Sequence, residues 1–259
     1  VMSTLARRPD ASKGYGLLMT LQFLLSAVGL YGIPLLLPVT GVRGLFVGIG
    51  VIELVAAVTM GLISLAPVIG AQVTHAGTEL KVLLNRVALF SIIGGGLYEA
   101  SNTAQFTYAE RMGVAINLGG DTIGPVLGTA SLMGIPGALC IVWIGDRVRS
   151  ITMVQLGIAG TLAGLLLLMV ATNLTLYTIS MCLLGFSWAF TLPYFQTIQA
   201  GMDPRGSVVA AGAFATMIGD TLAPGAAASV LSGDDYTRVL SLSIILSGLA
   251  AVLIRKKTS

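Results

Sequence analysis

Four acidic residues lie in apolar stretches of the sequence, where a charged carboxyl group is energetically unfavourable. They are Glu53, Glu99, Asp121 and Asp220, and no Lys or Arg lies deep in the same stretches. A charged side chain at the centre of a bilayer costs at least ~2.5 kcal/mol on insertion scales. Because low dielectric disfavours the charged form of an acid, such a group can bind and release protons. These residues therefore suit proton-linked chemistry inside a membrane.

Glu99 is the strongest of these candidates, because other polar residues accompany it. Glu99, Asn102 and Gln105 follow a spacing of three, which places them on one face of a helix. A polar face on a membrane helix normally turns inward or lines a cavity. We expect this face to contact a substrate or protons. The alternative is a hydrogen-bonded network that only holds helices together.

The pattern Gly-Asp-Thr-x-x-Pro occurs twice, at residues 120–125 and 219–224. Asp220 falls mid-span, and Pro224 one turn later removes a backbone hydrogen bond and favours a kink. The sequence predicts either a protonatable acid on a moving helix or an acid bonded to a neighbouring helix. Asp121 is expected instead to cap a helix that starts at Thr122, where its charge complements the helix dipole.

A stripe of hydroxyl groups marks the sixth apolar span. Ser187, Thr191 and Tyr194 fall at i, i+4 and i+7, and Trp188 starts a parallel aromatic stripe with Phe195. Aromatic and hydroxyl groups together suit an amphipathic organic substrate, so Ser187, Trp188, Thr191 and Tyr194 are candidates for the substrate path. Packing between helices is the alternative interpretation of such a stripe.

The composition of the chain indicates which kind of secondary structure carries these residues. The chain has 259 residues, of which 55% are hydrophobic and 10% charged, and its mean hydropathy is +0.92. Soluble domains carry about 25% charged residues, so lipid must be the main solvent of this chain. Hydropathy predicts an all-α polytopic membrane protein with about eight spans near the ~20 residues that a crossing needs. The spans are 15–38, 44–66, 87–108, 122–144, 151–171, 174–198, 207–231 and 237–254.

The basic residues predict the orientation of these spans. Of the 14 Lys and Arg residues, all but Arg43, Arg111 and Arg238 fall on the side that carries both termini. The positive-inside rule therefore places both termini in the cytoplasm. The basic charge needs no nucleic-acid partner to explain it. His75 is the single histidine and the two cysteines lie inside spans, so we expect no metal site and no cofactor.

Several segments resemble the major facilitator superfamily of transporters. Residues 108–113, YAERMG, and 119–150 look like its seventh and eighth helices with the following cytoplasmic loop. Residues 145–149, Gly-Asp-Arg-Val-Arg, are similar to the family loop Gly-Asp-Arg-x-Gly-Arg, with Arg149 where Gly is usual. Residues 202–229 look like the eleventh helix and the loop before it, and residues 21–46 resemble the fifth helix.

The resemblance implies that the chain supplies the last eight of twelve helices. Residues 1–66 would be the last two helices of an incomplete N-terminal bundle, 67–86 a cytoplasmic loop, and 87–259 a six-helix bundle built as a 3+3 inverted repeat. A full carrier would need the missing N-terminal helices, so the sequence is expected to be truncated there. By the same resemblance, Asp146, Arg147 and Arg149 would form a cytoplasmic gate; plain positive-inside charge is the alternative.

The function that follows is secondary transport of a small organic solute by alternating access, coupled to protons, in the plasma membrane. The alternative is a non-transporting membrane scaffold or an inactive fragment. An intramembrane aspartyl protease is disfavoured, because Asp121 and Asp220 lack the Tyr-Asp and Gly-x-Gly-Asp surroundings of that class. We therefore expect no enzyme and no catalytic residue.

Overall fold

Helices fill most of the protein. The computed structural model describes residues 11–64, 82–203, 205–233 and 235–255. Within these ranges lie nine α-helices: α1 (Ala11–Ser64), α2 (Arg86–Thr107), α3 (Ala109–Ala115), α4 (Gly120–Leu132), α5 (Gly134–Ile144), α6 (Ser150–Met169), α7 (Leu174–Ala200), α8 (Ser207–Val230) and α9 (Thr237–Arg255). A short 3-10 turn at Gly145–Arg147 follows α5.

Six helical stretches of the described residues are long and apolar enough to cross a membrane. They are Pro38–Thr59, Gly120–Ile144, Ser150–Met169, Leu174–Ala200, Ser207–Val230 and Thr237–Ile254. A helix suits lipid because it satisfies its own backbone polar groups. Helix α2 has 22 residues but is less apolar, because Glu99, Asn102 and Gln105 lie on it. These helices confirm the predicted all-α polytopic membrane fold.

Helix α1 contains a single break, which separates the first two predicted spans. Gly41 has φ 63° and ψ 174°, a combination outside the helical region. Only glycine adopts this backbone conformation without strain. The helical segments before and after Gly41 correspond to the predicted spans 15–38 and 44–66. Residues 38–59, Glu53 among them, are exposed apart from Gly44 and Leu45, which are half-buried.

The predicted span 122–144 is built from two helices that meet at Met133. Helix α4 begins at Gly120, with Gly119 in the N-cap position and no side-chain capping bond. The prediction that Asp121 caps this helix is therefore wrong. The Gly119 carbonyl accepts hydrogen bonds from the amides of Thr122 and Ile123, so the helix starts earlier and Asp121 lies exposed in its first turn.

Helices α2 and α7 make the most extensive contacts in the bundle. Helix α2 packs mainly against α8 and α9, whereas α7 packs mainly against α6, α5 and α4. Toward α9, Ser101 Oγ lies 2.7 Å from both the Ser243 carbonyl and Ser247 Oγ. The first segment of α1 packs against α5 and α7, where Tyr15, Met19 and Phe23 are buried. Side chains of this segment and of α2 line one cavity, Phe23 and Glu99 among them.

The predicted division into three parts stays a prediction. Residues 65–81, which hold most of the proposed loop 67–86 and the single histidine His75, lie outside the described residues. The described part of the bundle from α2 to α9 shares two apolar clusters. One surrounds Tyr177 and Leu165, and the other surrounds Tyr98 and Phe195. These clusters hold the helices that carry the polar candidates.

Candidate functional site

A close crossing of α2 and α8 brings Glu99 and Asp220 together. A Cβ atom added to Gly219 would lie 2.5 Å from the Gly96 carbonyl oxygen, and one added to Gly96 would lie 2.9 Å from the Ala215 carbonyl oxygen. Both distances are shorter than a carbon–oxygen contact allows, so the crossing requires glycine at these positions. Small residues let membrane helices approach in this way. Glu99 follows Gly96 by one turn, and Asp220 follows Gly219 directly.

A cavity of about 640 Å³ opens beside this crossing. Ligand sites typically measure about 300–1,000 Å³, so the volume suits a small organic molecule. Residues of α1, α2, α4, α7 and α8 line it. The polar members are Gln22, Glu99, Asn102, Thr103, Gln105, Thr107, Ser131, Trp188, Gln196, Thr216 and Asp220. The apolar members include Met19, Phe23, Phe106, Met181, Leu184, Leu192 and Met217.

Glu99 is held at the wall of this cavity by an indole. The Trp188 Nε1–H group donates to both carboxylate oxygens, with N···O distances of 3.2 and 2.9 Å. Glu99 is only 5% exposed, and no ion pair to it occurs among the residues that the structure describes. The Trp188 ring in turn meets the Phe23 ring edge-on, with centroids 5.4 Å apart. A carboxylate of α2 is thus linked through α7 to α1.

Asp220, on α8, lines the same cavity and accepts a hydrogen bond from Thr103 Oγ1. Its carboxyl group also interacts with that of Glu99 at close range. When both are ionised, two like charges repel each other, and a proton or a cation between them relieves the repulsion. The pair can therefore bind a positive charge.

Two amide side chains that line the same cavity carry unsatisfied polar atoms. Within the described ranges, Gln105 Oε1 and Gln196 Oε1 are buried and have no hydrogen-bond partner. An unpaired buried acceptor costs about 1–3 kcal/mol, and a ligand that donates a hydrogen bond would recover it. Asn102, by contrast, donates its Nδ2–H to the Tyr98 carbonyl at 2.8 Å, within its own helix.

The predicted stripe of α7 divides between the cavity and the core. Trp188 lines the cavity, whereas Ser187, Thr191 and Tyr194 are buried and do not. Thr191 and Ser187 face α6, where Gly157 and Gly160 leave room for their hydroxyl groups. The side chains at i, i+4 and i+7 therefore fill a close helix–helix contact, because glycines on α6 let the two helices approach.

The proposed gate residues follow the C-terminal end of α5. Arg147 ends the 3-10 turn and Arg149 occupies the N-cap position of α6; both side chains are exposed. The side chain of Asp146 lies outside the described part of the structure. Gly145, with φ 53°, reverses the chain between α5 and the turn. The gate role of these residues stays a prediction.

A buried aspartate organises the connection between α7 and α8. Asp203 accepts backbone hydrogen bonds from Arg205 at 2.9 Å and Ser207 at 2.8 Å. Burial on its own would raise the pKa of Asp203, but these hydrogen bonds outweigh it and hold the pKa below its usual range. The charged carboxylate thus fixes the start of α8, the helix that carries Asp220.

Several residues that line the cavity were not among the site residues predicted from the sequence. Thr103 lies one turn after Glu99, and Gln22 and Gln196 are polar residues inside apolar spans, so each had a signal in the sequence. Phe23 had none, because an apolar side chain in an apolar span does not reveal which neighbour it contacts.

A family model described as Major Facilitator Superfamily matches residues 1–228. This range includes Glu99, Trp188 and Asp220 together with the first segment of α1. No curated protein matches the chain closely enough to count as a relative.

Proposed function

The chain belongs to the Major Facilitator Superfamily of membrane transporters, and we propose that it moves a small organic solute across the membrane by alternating access, coupled to protons. The observation that carries this proposal is the cavity of about 640 Å³ with Glu99 buried in its wall. Members of this family are transporters, not enzymes. The solute would bind in the cavity, between α1 and the helices α2, α4, α7 and α8.

Proton coupling is supported by the way in which Glu99 is held. As a carboxylate, Glu99 offers both oxygens to the Trp188 indole. A proton on either oxygen turns an acceptor into a donor, and an indole N–H can only donate. Protonation therefore weakens the Trp188 contact. Because Trp188 packs against Phe23 of α1, the change in charge acts at the contact between α1 and the C-terminal helices.

Asp220 is the second candidate in the proton path. It accepts a hydrogen bond from Thr103 and lies close to the Glu99 carboxyl group. A proton that leaves Glu99 has a nearby carboxylate to accept it, so the two acids can act as one relay. Asp220 also lies one turn before Pro224, which is inside α8. A proline inside a helix leaves one backbone carbonyl without its helical partner and weakens the helix locally.

The setting of this transporter is also part of the proposal. The distribution of Lys and Arg supports an orientation with both termini in the cytoplasm, and the plasma membrane is the proposed location. Arg147 and Arg149 would then lie on the cytoplasmic side, where they are proposed to contribute to a gate. Alternating access needs two bundles around the site, so further N-terminal helices would complete the carrier.

Transport is tested in proteoliposomes with an imposed pH gradient. A pool of small organic cations, anions and neutral solutes is added outside, and mass spectrometry measures what accumulates inside. The proposal expects at least one solute to accumulate well above empty vesicles and to do so only while the gradient lasts. If no solute accumulates above empty vesicles, the chain is a non-transporting scaffold or inactive fragment, and the proposal is wrong.

A further inference from the structure

The charge of the cavity is opposite to that of the chain. The protein carries a formal net charge of +3, but the charged side chains that line the cavity are the two acids Glu99 and Asp220. No Lys, Arg or His is among the described residues of its wall. The polar residues that the other helices contribute to the wall are neutral: Gln22 on α1, Ser131 on α4, Trp188 and Gln196 on α7, and Thr216 on α8. The two carboxyl groups therefore set the charge preference of the site.

Neither carboxyl group is saturated by the protein. Glu99 accepts from the single indole N–H of Trp188, and Asp220 accepts from the single hydroxyl of Thr103. An ionised carboxyl group can accept about four hydrogen bonds. Both side chains line the cavity, so a ligand with several N–H donors can reach their remaining acceptor positions.

The rest of the wall fits an apolar or aromatic body. Phe23, Phe106 and Trp188 contribute aromatic rings, and Leu184 and Leu192 contribute aliphatic surface. A cation within about 6 Å of such a ring gains further attraction from its negative face. The side-chain amides of Gln105 and Gln196 offer both donors and acceptors, so they serve any polar ligand and do not select its charge.

From these features we propose that the solute is an amphipathic organic cation, a protonated amine on an aromatic or aliphatic body, whose ammonium group lies between Glu99 and Asp220. This inference rests on the proposed transport function. The ammonium group and a proton compete for the same carboxyl pair, so binding of one releases the other. An anionic solute would meet two like charges with no compensating cation in the described wall.

The test compares three ligands that share a naphthalene ring and nearly the same chain length. They are 2-(1-naphthyl)ethylammonium, 2-(1-naphthyl)ethanol and 1-naphthylacetate, which are positive, neutral and negative. The full 259-residue chain is placed in nanodiscs of zwitterionic lipid, and equilibrium dialysis against empty nanodiscs measures binding. We expect the ammonium ligand to bind at least about tenfold more tightly than the alcohol, since hydrogen bonds to charged groups are the strong ones. Its affinity should fall as the pH is lowered, and that of the alcohol should not.

Matched variants locate the site. Glu99→Gln and Asp220→Asn should each remove most of the preference for the ammonium ligand. Glu110→Gln and Asp121→Asn make the same changes at exposed acids outside the cavity. These two variants should keep the preference for the ammonium ligand. Thermal unfolding shows whether each variant is folded, and the exposed position of Asp220 makes its variant the safer of the two.

Three outcomes would overturn the inference. If the alcohol or the acetate binds as tightly as the ammonium ligand, the cation preference is wrong, and the transport proposal stands provided that these solutes accumulate in the vesicles. If the ammonium ligand binds to Glu99→Gln and Asp220→Asn as well as to the wild type, the assignment of its site to these two acids is wrong. If no ligand binds and no solute accumulates, both proposals fall.

Discussion

The Trp188 indole donates one N–H to both oxygens of the Glu99 carboxylate, at 3.2 and 2.9 Å, across the interface of α7 and α2. The same ring packs edge-on against Phe23 of α1. The acid that we propose as the proton carrier is therefore in direct contact with the residue that joins it to the preceding helix. A change of charge at Glu99 changes the strength of its hydrogen bond to Trp188. We propose that this hydrogen bond couples protonation of Glu99 to the contact between Trp188 and α1.

Trp188→Phe tests this path without removing the aromatic ring. The variant loses the donor to Glu99 but retains a ring that can pack against Phe23. Since a hydrogen bond to a charged group is worth about 1.5–3 kcal/mol, we expect pH-driven uptake to slow by roughly tenfold or more. Initial uptake rates in proteoliposomes measure this. Trp143→Phe is the control, because Trp143 is 76% exposed and lies outside the cavity. Equal uptake rates in the two variants would contradict coupling through the Trp188–Glu99 hydrogen bond.

Gly219→Ala tests the crossing that positions the two acids. The added Cβ would lie 2.5 Å from the Gly96 carbonyl oxygen, so α2 and α8 must separate. We expect a loss of stability of about 1–3 kcal/mol, the usual range for overpacking. Thermal unfolding in detergent measures it. Gly225→Ala, on the same helix and with nothing within 4 Å of its added Cβ, should unfold like the wild type. A Gly219→Ala variant as stable as Gly225→Ala would show that the crossing is not tight.

Gln105→Met separates a binding role from a structural one. Gln105 Oε1 is buried without a partner in the described structure, so methionine should leave stability unchanged or raise it by about 1 kcal/mol. Ligand binding should nevertheless weaken, because the cavity loses a polar contact. Gln155→Met is the contrasting variant: Gln155 Nε2 donates to the Ala251 carbonyl at 2.7 Å, and losing that bond should lower stability by about 1 kcal/mol. Normal binding by Gln105→Met would exclude a role in the site.

The pKa of Asp203 predicts a pH-dependent contribution to stability. Its pKa is held below the usual range by the backbone hydrogen bonds from Arg205 and Ser207. A carboxyl group with a lowered pKa in the folded state stabilises the protein at neutral pH, and this contribution is lost as the pH falls. Asp203→Asn should therefore be less stable than the wild type at pH 7, and the difference should narrow in acid. Thermal unfolding across pH measures this; a difference that stays constant with pH would contradict it.

Sequence reasoning located the polar face of α2 but not the partners that complete the site. The spacing of Glu99, Asn102 and Gln105 was sufficient to place them on one face, since helical periodicity is local. The helix that faces them depends on tertiary packing, which the spacing of residues within one helix does not record. Ser187 and Thr191 illustrate this limit, because their contact depends on Gly157 and Gly160, about thirty residues earlier in the chain.

The start of α4 shows a second limit. Aspartate is a favoured capping residue, and Pro125 close behind Asp121 made a start at Thr122 reasonable. The backbone of Gly119 allowed the helix to begin earlier, so Asp121 became a first-turn residue instead. The same Gly-Asp-Thr-x-x-Pro pattern thus lies at the start of α4 and near the middle of α8. Only Asp220 of the two reaches the cavity.

The pH dependence of uptake by Glu99→Gln tests the central claim most directly. Proteoliposomes with wild-type protein, Glu99→Gln or the control Glu110→Gln are given the same pH gradient, and the initial uptake of a transported solute is followed over a range of pH. We expect Glu99→Gln to lose gradient-driven uptake and its residual uptake no longer to vary with pH, while Glu110→Gln behaves like the wild type. Unchanged uptake with an unchanged pH profile in Glu99→Gln would contradict the role of Glu99 as the coupling acid.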